Sequence, residues 1–156
     1  MKHEMTPQAL TEELGLLMGK ARRRFWILAS RKFEASGESF TLWRVLSQLA
    51  RVERSTQHDL ATAVGQDPPS ISRLLDALER DQLVRRDRDQ EDRRRVYVQL
   101  TRRGRAQCER MRPALREAID RCFQPLSHDE RGVLREILAK LVADEPSTCE
   151  STPSQE

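Results

Sequence analysis

Arg88, Asp92, Arg93, Arg94 and Arg95 fall within one eight-residue span that holds no apolar side chain. A guanidinium is a rigid fork of donors that fits phosphates and guanine edges two bonds at a time. Arginines gathered around a carboxylate therefore suggest recognition of a polyanion rather than bond-making chemistry. The span is flanked by two β-like runs, Leu83–Arg86 and Arg95–Leu100. Val96, Val98 and Leu100 alternate with Tyr97 and Gln99, the period of a half-buried strand. The pattern predicts a hairpin whose charged tip reaches outward. Asp92 also suits the turn itself, where Asp bonds readily to nearby backbone. Arg86, on the first run, joins the basic set.

Directly upstream, two helical patterns are joined by a short turn. Thr56 is the expected cap of the first, with Asp59 three residues on completing a capping box. Leu60, Ala61 and Val64 form its inner face, and Gly65 ends it. Thr56 and Gln57 stand at its start. In the turn Gln66–Pro69, a residue before proline is pushed out of the α region. Pro68 is therefore expected outside the next helix, as its cap, with Pro69 at the first helical position. Ile71, Leu74, Leu75 and Leu78 make an apolar stripe. Pro69, Arg73, Asp76, Ala77 and Arg80 lie opposite, with Ser70 and Ser72 on the flanks. Short side chains near a helix start, with Arg73 one turn in, suit entry into a DNA major groove. The first N–H groups are expected to attract phosphate, and Arg73 to reach a guanine edge or a phosphate. An ordinary amphipathic helix with a solvated face is the competing reading of residues 68–80 taken alone.

These elements sit within a chain of 156 residues that is 34% charged and 4% aromatic. One mainly α domain organisation with a small β-hairpin wing is the expected fold class. Net charge is only +3, yet Arg80–Arg105 holds ten Arg against five acids. Local positive charge governs phosphate contact more than the total does. A first helix is predicted from about Thr6 to Phe33, on Leu10, Leu14, Leu17, Ala21, Phe25 and Leu28. Glu34–Glu38 is a turn, and Ser39 caps a second helix carrying Leu42, Val45, Leu46 and Leu49. After Thr101 a helix follows with Ala106, Cys108, Met111, Leu115, Ile119 and Cys122 along one face, bent at Pro113. Ser127 and Glu130 form another capping box ahead of Val133, Leu134, Ile137, Leu138, Leu141 and Val142. Residues 144–156, rich in Ser, Thr, Pro and Glu, are expected to be disordered. The terminal helices carry more apolar residues than a small winged domain could cover alone.

Several classes are disfavoured. No apolar run approaches the ~20 residues of a membrane span, and no signal peptide is visible, so a cytoplasmic location is expected. Three cysteines, Cys108, Cys122 and Cys149, do not make a disulfide framework. His3, His58 and His128 are scattered, so no metal site or cofactor is expected. There is no Gly-rich phosphate loop and no nucleophile elbow, so the chain is not expected to be an enzyme.

Along residues 10–142 the chain resembles a MarR-type (MarR/SlyA-like) winged helix–turn–helix transcriptional regulator. The match is carried by Thr56-Gln57-His58-Asp59-Leu60-Ala61, by Ser70–Glu79, by Leu83-Val84-Arg85-Arg86, and by Asp92-Arg93-Arg94 with Leu100–Gly104. The resemblance implies a homodimer built from residues 6–35 and 101–143, a DNA-binding domain over 39–100, and a tail at 144–156. It implies an inverted repeat of double-stranded DNA as the partner, Arg94 entering the minor groove, and Asp92 holding Arg94 in place. The family usually has Gly where this chain has Gln82. A left-handed Gln82 would carry strain of roughly 1 kcal/mol.

Relatives commonly bind aromatic or phenolic acids, which implies a repressor released by such an effector. Arg22, Phe25, Trp26, Phe40 and Trp43 are the candidate ligand residues, with simple packing as the competing role of the aromatics. A redox response through Cys122 or Cys108 is an alternative input, and buried inert packing is its counterpart. A winged-helix protein-interaction module without DNA binding is the alternative of a different class. The Arg-rich wing argues against it.

Overall fold

A computed structural model describes residues 6–89, 92 and 95–143. The chain falls into two compact units, Met1–Cys122 and Phe123–Glu156. The expected disorder of residues 144–156 concerns positions outside the described residues.

The first unit opens with helix α1, Pro7–Ala35, capped by the Thr6 hydroxyl and started by proline at its first position. It runs two residues past the expected end. Helix α2, Phe40–Val52, follows its Ser39 cap, which accepts from the Leu42 N–H at 3.3 Å. Strand β1, Arg54–Thr56, was not expected. Three residues are too few to show alternation, and β1 exists through its pairing partner. Helix α3, Gln57–Val64, begins at Thr56 and ends at Gly65 with φ 59. The capping box differs in detail: Asp59 accepts from the Thr56 hydroxyl at 2.7 Å, while the hydroxyl accepts from the Asp59 N–H.

Helix α4 spans Pro68–Arg80, with Asp67 as its cap and Pro68 already helical. This corrects the expected start by one residue. Asp67 has the extended backbone that proline demands of its predecessor. It also has a side-chain acceptor, which Pro68 lacks.

Strands β2, Val84–Arg88, and β3, Val96–Leu100, form the hairpin. The sheet order is β1-β3-β2, antiparallel throughout. Val84, Val98 and Leu100 face the core, whereas Val96 at the open end stays 37% exposed. The α2, α3 and α4 inner faces meet them with Leu46, Leu49, Leu60, Ile71 and Leu75. Helix α5, Arg102–Phe123, buries Gly104, Cys108, Met111, Ala114 and Ala118. Ala106, expected inward, is exposed, because the inner face of α5 is set by Gly104 at its start. Pro113 lies inside this helix as expected.

The second unit contains helix α6, His128–Val142, behind a reciprocal capping box between Ser127 and Glu130. It buries none of its residues.

One corner joins the recognition helix to the wing. Gln82 adopts φ 59, and the Leu83 N–H bonds back to the Leu78 carbonyl at 2.8 Å. This is the closing bond of a left-handed helix stop, which glycine usually supplies. Thr101 then clasps the corner: its hydroxyl donates to the Gln82 carbonyl at 2.6 Å and its N–H to the Leu83 carbonyl at 3.1 Å. The same hydroxyl accepts from the Gly104 N–H at 3.0 Å, so it also caps α5. A Cβ on Gly104 would stand 2.0 Å from the Leu83 carbonyl oxygen.

Gly104→Ala is therefore expected to destabilise the protein by about 2–3 kcal/mol. Chemical denaturation would show it as a lower midpoint at constant slope, and an unchanged midpoint would mean that α5 does not rest on that carbonyl. Gln82→Gly should move the midpoint the other way by about 1 kcal/mol.

Candidate nucleic-acid interface

On α4, Pro69 and Arg73 are exposed, and Ser70, Ser72 and Ala77 are half-buried on its outer side. Thr56 and Gln57 are half-buried at the start of α3, and His58 beside them is exposed. These side chains stand on or cap the two helices of the helix–turn–helix, α3 and α4. The first-turn N–H groups expected to attract phosphate are already occupied or missing. Pro68 and Pro69 have no N–H. The Ser70 N–H goes to the Asp67 carboxylate at 2.9 Å, and the Ile71 N–H to the Asp67 carbonyl at 3.1 Å. Every donor of the first turn is thus absent or engaged. Hydrogen bonds from the Ser70 hydroxyl and N–H hold the Asp67 carboxyl below its ordinary range, and the Arg73 charge adds to this.

The hairpin exposes Arg88, Asp92 and Arg95, while Arg93 and Arg94 lie outside the described residues. Backbone bonds close its outer end: Asp89 N–H to the Arg95 carbonyl at 3.0 Å, and Arg95 N–H to the Asp92 carbonyl at 2.9 Å. The Asp92 N–H donates to the Asp89 carboxylate at 3.0 Å. Asp92 faces Arg95 at 3.9 Å. The implied pairing of Asp92 with Arg94 falls outside the described residues. A hydrogen bond to Tyr97 raises the Arg95 guanidinium above its ordinary value, with Asp92 and Asp89 contributing.

Arg86 sits differently from the other arginines. It is half-buried and bonds Asp76 at 2.7 Å and Glu79 at 2.7 Å, both on α4. Its own N–H reaches Glu79 at 3.3 Å. Burial disfavours its charge, but the two carboxylates more than offset this and raise it above the ordinary arginine value. Its guanidinium ties the recognition helix to β2. A further basic residue, Arg54, stands on β1 over the Tyr97 ring. Sequence reading missed it because β1 itself carries no pattern.

The candidate ligand residues form a packed aromatic cluster rather than the wall of a cavity. Phe40 meets Phe25 at 6.1 Å, Trp26 at 5.3 Å and Trp43 at 6.0 Å. Phe33, not singled out from the sequence, is fully buried against Phe40 at 5.4 Å. Arg44 lies over Trp26 at 4.3 Å, its guanidinium lowered by burial. Arg22 is exposed. A cavity of about 290 Å³ between α1 and α5 is lined by Leu28, Arg31, Lys32, Glu117 and Arg121 among others, and by none of the five candidates. One polar atom of the cluster stands out: Trp43 Nε1 is buried with no hydrogen-bond partner among the described residues. Cys108 is buried, and burial pushes its thiol up, the opposite of an activated cysteine. Cys122 is half-buried, and Cys149 lies outside the described residues.

A reading helix capped by a tight turn, followed by a basic hairpin on a three-stranded sheet, defines a winged helix–turn–helix DNA-binding regulator. Comparison with known proteins agrees. Residues 39–96 match the model of the MarR family. The chain is 30% identical over 111 residues to the homoprotocatechuate degradative operon repressor of Escherichia coli, covering 71% of this chain and 75% of that one. It is 28% identical over 139 residues to the transcriptional repressor NicR of Pseudomonas putida, covering 88% and 87%. The structure superposes with TM-score 0.69 on Bordetella bronchiseptica BpsR, 26% identical, covering 83% of this chain and 98% of that one. That structure describes regulation of BpsR DNA binding by 6-hydroxynicotinic acid. The chain belongs to the MarR family of transcriptional regulators.

Acid should open the α4 N-terminus. A depressed Asp67 carboxyl stabilises the helix start above the unfolded carboxyl range, about pH 4. That contribution is lost as pH falls through the lower folded value. Protection of the Ser70 N–H, measured against its intrinsic exchange rate at each pH, should fall over that acid range and stay flat in Asp67→Asn, whose amide oxygen accepts at every pH. Identical acid profiles in the two proteins would refute the assignment.

Proposed function

We propose that this protein is a homodimeric, cytoplasmic repressor that binds an inverted repeat of double-stranded DNA and is released by a small aromatic acid. The observation that carries the DNA-binding part is the shared corner. It holds the outer α4 face (exposed Pro69 and Arg73, half-buried Ser70, Ser72 and Ala77) and the basic hairpin (Arg88, Arg95) in one unit. Thr56 and Gln57 extend that surface on α3. Arg93 and Arg94, with Asp92, complete the wing in this reading. Arg73 reads a base or a phosphate, and Arg94 takes the minor groove.

Dimerisation is supported by apolar faces that the chain leaves uncovered. Leu10, Leu14, Leu17 and Met18 on α1 are exposed, as are Val133, Ile137, Leu138 and Leu141 on α6. Faces of this size on a soluble chain mark association surfaces. In this reading residues 6–35 and 101–143 make the dimer, and 39–100 bind DNA. Two-fold symmetry then sets two reading helices about 34 Å apart, matching an inverted repeat.

The effector reading is supported by the printed roles of relatives, a homoprotocatechuate operon repressor and a regulator responsive to 6-hydroxynicotinic acid. It is also supported by the unmatched Trp43 Nε1 donor, which costs about 1–3 kcal/mol while unpaired. A ligand oxygen would satisfy it once the packed Phe25, Trp26 and Phe40 cluster opens to admit it.

Four measurements test these parts separately. Arg73→Ala should narrow the affinity gap between a selected duplex and a random one. If both affinities fall equally, Arg73 contacts phosphate and reads no base. Arg94→Ala should weaken binding and reduce the salt slope by about one. Ile137→Glu should shift sedimentation to the monomer and abolish cooperative occupancy of both half-sites, whereas a dimer that persists would place the interface elsewhere. Titration with 6-hydroxynicotinic acid should quench tryptophan fluorescence and free the DNA, an effect lost in Trp43→Phe.

A further inference from the structure

Arg54 is not in the recognition helix or the wing, yet its contacts lead to the wing's outer end. It stands opposite Gln99 in the β1–β3 pair, and Tyr97 is its diagonal neighbour on the same face. Its guanidinium lies 4.3 Å from the Tyr97 ring centre. Its Nη1 stands 3.7 Å from Asp89 Oδ2. The Asp89 side chain is only 18% exposed, and Arg54 is one of the cations beside it, with Arg95 another. The other Asp89 oxygen accepts from the Asp92 N–H at 3.0 Å. One carboxylate thus links β1 to the turn that carries the wing's basic residues.

The physical need for such a link is clear. A two-stranded ribbon projecting from a domain is marginal by itself. Arg86 secures the base of the hairpin to α4, but its contacts end at that base. β1 lies directly between α2 and α3, so it is fixed to the helical body. Arg54 carries that fixed position across Tyr97 to Asp89.

We propose that Arg54 is a positioning residue for the wing: through Tyr97 and Asp89 it sets the pose in which the turn meets DNA. This rests on the DNA-binding reading above. Two other roles compete with it. Arg54 could itself grip a phosphate, or it could be a surface ion pair of no consequence. Asp89→Asn and Arg54→Ala together separate all three. Both weaken binding if Arg54 acts through Asp89. If Arg54 grips phosphate, Arg54→Ala weakens binding and Asp89→Asn tightens it, because the arginine is released and a negative charge removed. If the pair is idle, Arg54→Ala changes nothing.

The experiment uses the full chain and a duplex enriched by the parent protein from a random pool. Arg54→Ala and Asp89→Asn should each weaken binding about five- to tenfold, the scale of one cation–π contact plus one ion pair. The double variant should be no weaker than either single one. Hydroxyl-radical protection should fade at the outer edges of the site and persist at its centre, with melting temperature unchanged. Arg54→Lys, which keeps the charge but not the planar stack, should recover part of the affinity and keeps the test open if Arg54→Ala fails to fold. Tighter binding by Asp89→Asn, or parent-like binding and footprints in Arg54→Ala and Asp89→Asn, would overturn the proposal. A parent protein that enriches no duplex would overturn the DNA-binding reading itself, and this proposal with it.

Discussion

Two backbone carbonyls, those of Gln82 and Leu83, determine how the DNA-facing parts of this protein are related. Thr101 bonds both, and Gly104 packs against the second so closely that no side chain fits between them. The recognition helix ends at this corner, the first wing strand leaves from it, the last wing strand returns to it, and α5 starts on it. Moving any one of these elements would break a short hydrogen bond or cause a backbone clash. The strained left-handed Gln82 persists because the contacts around it over-determine its conformation.

The arginines around this corner divide by environment. Arg86 is half-buried between two carboxylates of α4, while Arg54, Arg73, Arg88 and Arg95 are exposed. A basic count alone does not make that distinction. Arg86 ties β2 to α4, and the exposed arginines give this surface its positive field. Arg86 was grouped with the exposed set from its sequence context, and its half-buried position between Asp76 and Glu79 separates it from them.

Legibility followed the strength of local patterns. The helices of the first unit were readable because apolar spacing coincides with cap or stop residues at Ser39, Thr56 and Gly65. The hairpin was readable from Val98 and Leu100 alternating with polar residues. β1 was not, since Arg54–Thr56 owes its extended form to β3 and not to its own side chains. The α4 start was misread by one residue because the proline rule was applied to Pro68, while Asp67 satisfied it and offered a better cap. The outer α4 face and the wing were legible as a candidate interface. Which arginines point inward, and how the aromatics pack about Phe40, depend on long-range contacts that no local spacing records.

The closed start of α4 has a consequence for how a DNA site would be searched. Many DNA-reading helices hold the sugar–phosphate backbone through their first amides, a grip that is blind to sequence. Here two prolines and an aspartate remove that grip. The helix is left with side chains, which discriminate, and without amides, which only hold. Under the function proposed above, weak holding at wrong sites would mean short residence there and quick transfer along the duplex, leaving discrimination to the helix and retention to the wing.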